Sequence, residues 1–348
     1  MAIRADWDIR SRMRGYPTRL RLAAALVFVA VLLAAAAGAA EAPAHWRLEW
    51  PRTDFSRSAV SFDEILSGGP PRDGIPAIDT PKFATVAAQK DRLAPNEPVL
   101  SLQIAGDARA YPLQVLIWHE IVNDTVGGVP VAITYCPLCN SGIAFRRVVG
   151  GAETTFGTTG KLRHSDLVMY DRATESWWQQ YSGRAIVGKM TGAQLDRLPV
   201  RLESFADFAA RHPEGRVLVP TGDVMRSYGA NPYMGYDRAA RPFLYRGRYD
   251  GPGRPLMRVV TVEGSKTAWS LELLRKKGRI EEGDLVLSWK PGQASALDQA
   301  VIAKGRDVGT ALVQRRHADG TLEDVAYEVP FAFTFLAFTP DGIIRHTE

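Results

Sequence analysis

From Val99 onward, apolar and polar positions alternate in short runs separated by glycine, the period-two pattern of half-buried strands joined by tight turns. Val99 to Ile104 and Ala108 to Tyr111 flank Gly106; Glu120 to Val126 and Val129 to Tyr135 flank Gly127 and Gly128; Ile143 to Val149 and Glu153 to Phe156 flank Gly150 and Gly151. Glycine adopts the positive φ that short hairpin turns demand, so each pair predicts a β-hairpin. Helical patterns are few. One short helix is expected to open at Pro112, whose missing N–H is harmless in a first turn, and another spans Ser204 to Arg211, with Ser204 as cap and Pro213 beyond its end. Phe62 to Leu66 is a third, short candidate, and the apolar run Val329 to Phe338, too short to span a membrane, predicts a buried strand. The strand and long-helix rhythm of a doubly wound sheet is missing. The expected fold is therefore α+β and β-rich.

Before this region, residues 41–97 are rich in Pro, Gly and Asp, as in Gly68-Gly69-Pro70-Pro71, and predict an extended arm laid over the body. Within the body a pattern recurs. Val99 to Leu116 matches Arg258 to Leu274, pairing Gly106 with Gly264, Ala110 with Ala268, Tyr111 with Trp269 and Leu113 with Leu271. Val131 to Pro137 similarly matches Leu285 to Pro291, with Lys290 and Gln293 standing where the first copy has Cys136 and Cys139. The offset is 158 residues in the first match and four fewer in the second, which predicts an internal duplication, with a first half over 98–225 and a second, cysteine-free half over 226–348.

The formal charge of +5 changes the picture only once it is located. Residues 1–40 hold six arginines and two aspartates, which leaves a net +1 on the remainder. No basic patch for a nucleic acid is left. The same segment has arginines before an unbroken apolar run, Leu22 to Ala37, and small residues after it, the plan of a secretory signal cut near Ala39 to Ala42. Met13 as the start would give it ordinary length. The alternative is a retained membrane anchor; either places the body in the periplasm or elsewhere outside the cytoplasm, where its partner would be a periplasmic or membrane component.

The only two cysteines, Cys136 and Cys139, lie in Tyr-Cys-Pro-Leu-Cys-Asn. Such a pair can be a structural disulfide, a working dithiol or half of a metal site. A disulfide closing so small a loop stabilises little. Thioredoxin-like dithiols place the first cysteine at the start of a long helix, whereas here Asn140-Ser141-Gly142 leads into a strand pattern. A strand ending in Tyr135, then the pair, then Asn140 in a left-handed conformation predicts a tight knuckle with both sulfurs facing one ion, similar to the turns of rubredoxins and zinc ribbons. Further ligands are needed. His119 is the first candidate, because its hairpin leads into the strand carrying Cys136; Asp166, His164 and Met169 are weaker ones. Sulfur with one imidazole suits zinc or copper(I). A thiol–disulfide oxidoreductase using Cys136 and Cys139 and a non-catalytic exported scaffold remain as alternatives.

Nucleotide and flavin chemistry leave no trace: Gly157 to Lys161 lacks the phosphate-loop spacing, and no Gly-rich dinucleotide turn or Gly-x-Ser-x-Gly elbow is present. Longer motifs carry a resemblance. Ser67-Gly-Gly-Pro-Pro-Arg-Asp-Gly-Ile-Pro76, Ala110-Tyr-Pro-Leu113, Trp118-His-Glu-Ile-Val-Asn-Asp124, Tyr135-Cys-Pro-Leu-Cys139 and Ser165-Asp-Leu-Val-Met-Tyr-Asp-Arg172 together resemble the bacterial and archaeal domain of unknown function family numbered 3179. The resemblance covers nearly all the chain after the leader. It implies an exported or membrane-attached protein, and it implies that His119, Cys136, Cys139 and Asp166 fit the family pattern while His164 replaces an expected asparagine.

Overall fold

The computed structural model describes residues 41–346, so the leader expected over 1–40 lies outside the described residues. Residues from Pro43 onward form one compact unit. Its short strands and few short helices build five small sheets in a propeller-like ring. In the first, Ile65–Ser67, Phe156–Arg163, Asp166–Asp171, Trp177–Gln179 and Arg184–Val187 lie side by side; in the second, Arg197–Leu198, Ser141–Arg146, Val129–Cys136 and Ile121–Val126 do so. The third sheet is centred on the Pro98–Ile104/Asp107–Pro112 hairpin, the fourth on Val259–Val262/Thr267–Ser270 and the fifth on Leu285–Lys290/Thr310–Arg316. One continuous core links them, from Leu100 and Tyr111 through Ile133, Cys136 and Phe145 to Phe331.

The first two hairpins form as their alternation predicts. Leu100 pairs with Tyr111, and Val122 with Ile133. At Gly127 the requirement for glycine is steric as well as conformational: φ is +53°, and a Cβ there would lie 2.2 Å from the Ile104 carbonyl oxygen. The third expected hairpin breaks up. Ser141–Arg146 pairs with Val129–Cys136, only Val148–Val149 meets Ala152–Glu153, and Phe156 starts a strand of the first sheet. The Asn123 side chain holds it there, donating to the Phe156 carbonyl and accepting from its N–H.

Two further expectations are corrected. Val329 to Phe338 is not a strand: Ala332–Phe338 is a helix. Ala332, Phe333, Thr334 and Phe335 are all buried, so the segment is apolar in either period and its pattern cannot distinguish the two. Phe62 to Leu66 shortens to a single 3₁₀ turn, Phe62–Glu64, capped by Ser61, after which Ile65–Ser67 joins the edge of the first sheet. Elsewhere in the Pro/Gly-rich stretch, Trp46, Trp50 and Phe55 pack on Trp177 with ring centroids 5.1–5.4 Å apart.

The order strand, strand, helix, strand, strand occurs over 98–136 and again over 259–290. In the first stretch the helix is Leu113–His119, in the second Leu271–Lys277. Each ends on a residue of positive φ whose N–H returns to the helix, Glu120 to the Leu116 carbonyl and Gly278 to that of Leu274. Each of these residues then accepts from the next hairpin, Glu120 from Tyr135 N–H and Gly278 from Trp289 N–H. In both stretches the second strand of the opening hairpin gains a parallel neighbour, Arg216–Leu218 or Ile343–Arg345.

Candidate metal centre

Cys136 ends a strand and Cys139 closes the turn after it. The Cys139 N–H donates to the Cys136 carbonyl at 3.2 Å and Asn140 N–H to that of Pro137 at 3.2 Å. Asn140 supplies the expected left-handed residue, φ +51°, and its amide donates to the Val329 carbonyl at 2.7 Å. The loop is thus a knuckle followed by a strand, with no helix at either cysteine. Both sulfurs face one point: the Sγ atoms of Cys139 and Cys136 lie 3.4 Å and 3.8 Å from the Ser165 carbonyl oxygen. The cysteines are free and buried.

Ser165 reaches them because the Phe156–Arg163 and Asp166–Asp171 strands are joined by a two-residue turn, His164-Ser165, with φ of +54° and +67°. That is the double left-handed conformation of tight hairpins, made here without glycine. Asp166 follows immediately. One of its oxygens accepts from Gln179 Nε2 at 2.6 Å and from Tyr181 N–H at 2.8 Å, while the other, Oδ1, is buried with no partner. Ligand atoms of Cys136, Cys139 and Asp166 all lie within 4.8 Å of one another. An unsatisfied carboxylate oxygen beside two inward-facing thiols is costly as it stands and suited to a cation.

The electrostatics agree with that fit. Burial pushes both thiols up, Cys139 well above its ordinary value. Burial likewise raises Asp166 to about 7, opposed by its two hydrogen bonds and reinforced by Glu328. Glu120 is raised to about 8, by burial and then by the charge of Asp166. Its side chain has no hydrogen bond among the described residues. Both thiols and Asp166 therefore share one buried region, each resisting ionisation in the absence of a cation.

Glu120, not singled out from the sequence, is a buried acid that lies outside the 4.8 Å group. It sits next to His119 at the helix end, at φ +58°, a conformation that costs a non-glycine residue on the order of 1–2 kcal/mol. Gly278, at the end of the second helix, stands 158 residues on. His119 itself faces away from the group. Its Nδ1–H donates to the Pro76 carbonyl at 2.7 Å, which leaves Nε2 to accept from the Tyr228 hydroxyl at 2.8 Å, and the two rings stack. His164 points to Glu64 and to the Phe338 ring, and Met169, three residues along the strand from Asp166, belongs to the opposite face and packs in the core. Of the residues singled out from sequence, the structure brings together Cys136, Cys139 and Asp166. Four of the eight non-glycine residues with positive φ among the described residues, Glu120, Asn140, His164 and Ser165, lie around them, a concentration of backbone strain typical of functional sites.

The class so defined is a β-rich chain with a buried pair of thiols and a carboxylate at the junction of two hairpins. The chain belongs to the family described as Protein of unknown function (DUF3179), whose model matches residues 72–342. No curated protein and no solved structure matches it. Among the described residues no helix is long and apolar enough to cross a membrane.

Proposed function

We propose that this protein holds one thiophilic metal ion, zinc or copper(I), between Cys136, Cys139 and Asp166, and that it does so outside the cytoplasm. The observation that carries the reading is a carboxylate oxygen of Asp166 within 4.8 Å of both sulfurs, on a buried side chain whose Oδ1 has no hydrogen-bond partner. Two thiolates and a carboxylate are a donor set for zinc, and three protein ligands leave a fourth position on a tetrahedral ion. The ion would replace the protons that burial now holds on these groups. The protein's share of the chemistry is to fix the donors: the knuckle aims the sulfurs, and Gln179 with the Tyr181 N–H orients the carboxylate.

Thiol–disulfide exchange draws less support. Exchange needs an accessible thiolate, and these thiols are buried and raised. Export rests on the leader pattern alone. The test is metal content. Reduced, purified protein is expected to take up one equivalent of zinc or copper(I) by elemental analysis after dialysis, and Cys136→Ser to lose it. Uptake of neither metal by the unaltered protein would end the proposal, as would full uptake by the serine variant.

A further inference from the structure

We propose that the main-chain carbonyl oxygen of Ser165 is the fourth ligand of this centre, so that the ion is held wholly by protein and carries no water. The proposal rests on the metal reading above and deepens it. The oxygen is already in place: it lies 3.4 Å from the Cys139 sulfur and 3.8 Å from the Cys136 sulfur, and the donors that reach it are those two thiols. A tetrahedral zinc ion with sulfur at about 2.3 Å and oxygen at about 2.1 Å has sulfur–oxygen edges of about 3.6 Å. The two observed distances fall on either side of that value, so the oxygen and the sulfurs supply two edges of a coordination tetrahedron as they stand. Asp166, the next residue, adds its own oxygen from within 4.8 Å of both sulfurs.

In the metal-free protein the carbonyl accepts a weak bond from each thiol. Loading an ion removes both thiol protons. The carbonyl would then face two thiolates with no donor of its own, in a place where Ser165, Cys136 and Cys139 are all buried, and that arrangement costs free energy. An ion among the three atoms offsets it, because the lone pairs that met the thiol protons meet the metal instead.

The backbone is shaped to put the oxygen there. His164 and Ser165 take positive φ, +54° and +67°, in a turn where glycine is the unstrained choice. Ser165 is also tied to the knuckle from above. Its hydroxyl donates to the Phe243 carbonyl at 2.5 Å, the Phe243 N–H donates to the Tyr236 hydroxyl at 3.2 Å, and that hydroxyl donates to the Leu138 carbonyl at 3.1 Å. Leu138 lies between the two cysteines. Three hydrogen bonds thus run from the residue that supplies the oxygen to the loop that supplies the sulfurs and set the distance between them. Tyr236 is a positioning residue, acting through Leu138 and Phe243. A site closed by four protein ligands is of the structural or storage kind rather than the open catalytic kind.

The experiment reads the carbonyl directly. Ser165-Asp166 is the only Ser-Asp step in the chain, so reduced full-length protein made with carbonyl-13C serine and 15N aspartate gives a single carbonyl-to-amide correlation. One equivalent of zinc is expected to move that carbonyl resonance downfield; a carbonyl that merely loses its two thiol donors moves upfield. Cobalt(II)-loaded protein should show four-coordinate d–d bands that azide leaves unchanged. In Ser165→Ala and Tyr236→Phe, which each break the hydrogen-bonded chain, azide should shift those bands, and zinc should bind at least tenfold more weakly in competition with a chelator. An upfield or unmoved carbonyl in zinc-loaded protein, or azide binding by the unaltered cobalt protein, would overturn the assignment of Ser165 and leave the Cys136, Cys139 and Asp166 site standing. Azide without effect on both variants would overturn the chain as the device that places the oxygen. No zinc bound by the unaltered protein would overturn the underlying reading with it.

Discussion

Asp166 offers a test that needs no metal. A surface aspartate titrates near 4, whereas burial holds this one at about 7. Between those values the folded chain keeps a proton that the unfolded chain has released, so raising the pH destabilises the fold. The penalty is absent below about pH 4 and complete above about pH 7. Roughly three units at about 1.4 kcal/mol each give up to about 4 kcal/mol. Glu120, at about 8, adds a penalty of the same sign, less than a full second share because the two groups interact. Asp166→Asn keeps an oxygen to accept from Gln179 and the Tyr181 N–H and removes the charge. Urea unfolding of reduced, chelator-treated protein, followed by tryptophan fluorescence at pH 4 and pH 8, should show the asparagine variant more stable than the unaltered protein at pH 8 and nearly equal at pH 4. Adding zinc should reverse the order at pH 8. An asparagine variant that is the less stable at pH 8, or that keeps the full pH slope, would refute the account of a buried, cation-seeking carboxylate.

Two more predictions test the frame around the centre. Gly160, φ +69°, interrupts the Phe156–Arg163 strand where its register shifts, and a Cβ there would lie 1.9 Å from the Pro70 carbonyl oxygen; Gly160→Ala should cost on the order of 3 kcal/mol, whereas Gly151→Ala, φ +81° in open space, should cost about 1 kcal/mol, as read from thermal midpoints. His119→Gln should leave metal stoichiometry unchanged, since both ring nitrogens are engaged elsewhere. Burial lowers this histidine, so acidification through about pH 6.5 protonates the unfolded chain first and destabilises the fold; the glutamine variant should lose that acid sensitivity.

What the sequence reveals here depends on how local each signal is. Gly106 and Gly127-Gly128 mark hairpins because the turn residue and the alternation beside it act within a few positions of each other. The knuckle is legible for the same reason, down to the left-handed Asn140. Asp166 was within reach as a weaker candidate, but its rank against His119 depended on which way each side chain faces. The approach of Asp166 to the cysteines was hidden because it is made across two hairpins, 27 and 30 residues apart in the chain, and does not show in the letters around either. The helix Ala332–Phe338 was misread because burial on every side erases the period that distinguishes helix from strand.

The cysteine knuckle is tied down by the far end of the chain. Asn140 donates to the Val329 carbonyl, 189 residues on, the Phe331 N–H donates to the Cys139 carbonyl, and Ser141 donates to Glu328, which is paired with Arg197. The thiols are therefore made long before their cover. At usual rates of synthesis that interval is roughly 10–40 s, during which neither sulfur has its cover. Correct loading becomes a matter of timing: an ion captured early would be sealed in by the last segment to arrive, and a crosslink formed early would be sealed in just as firmly.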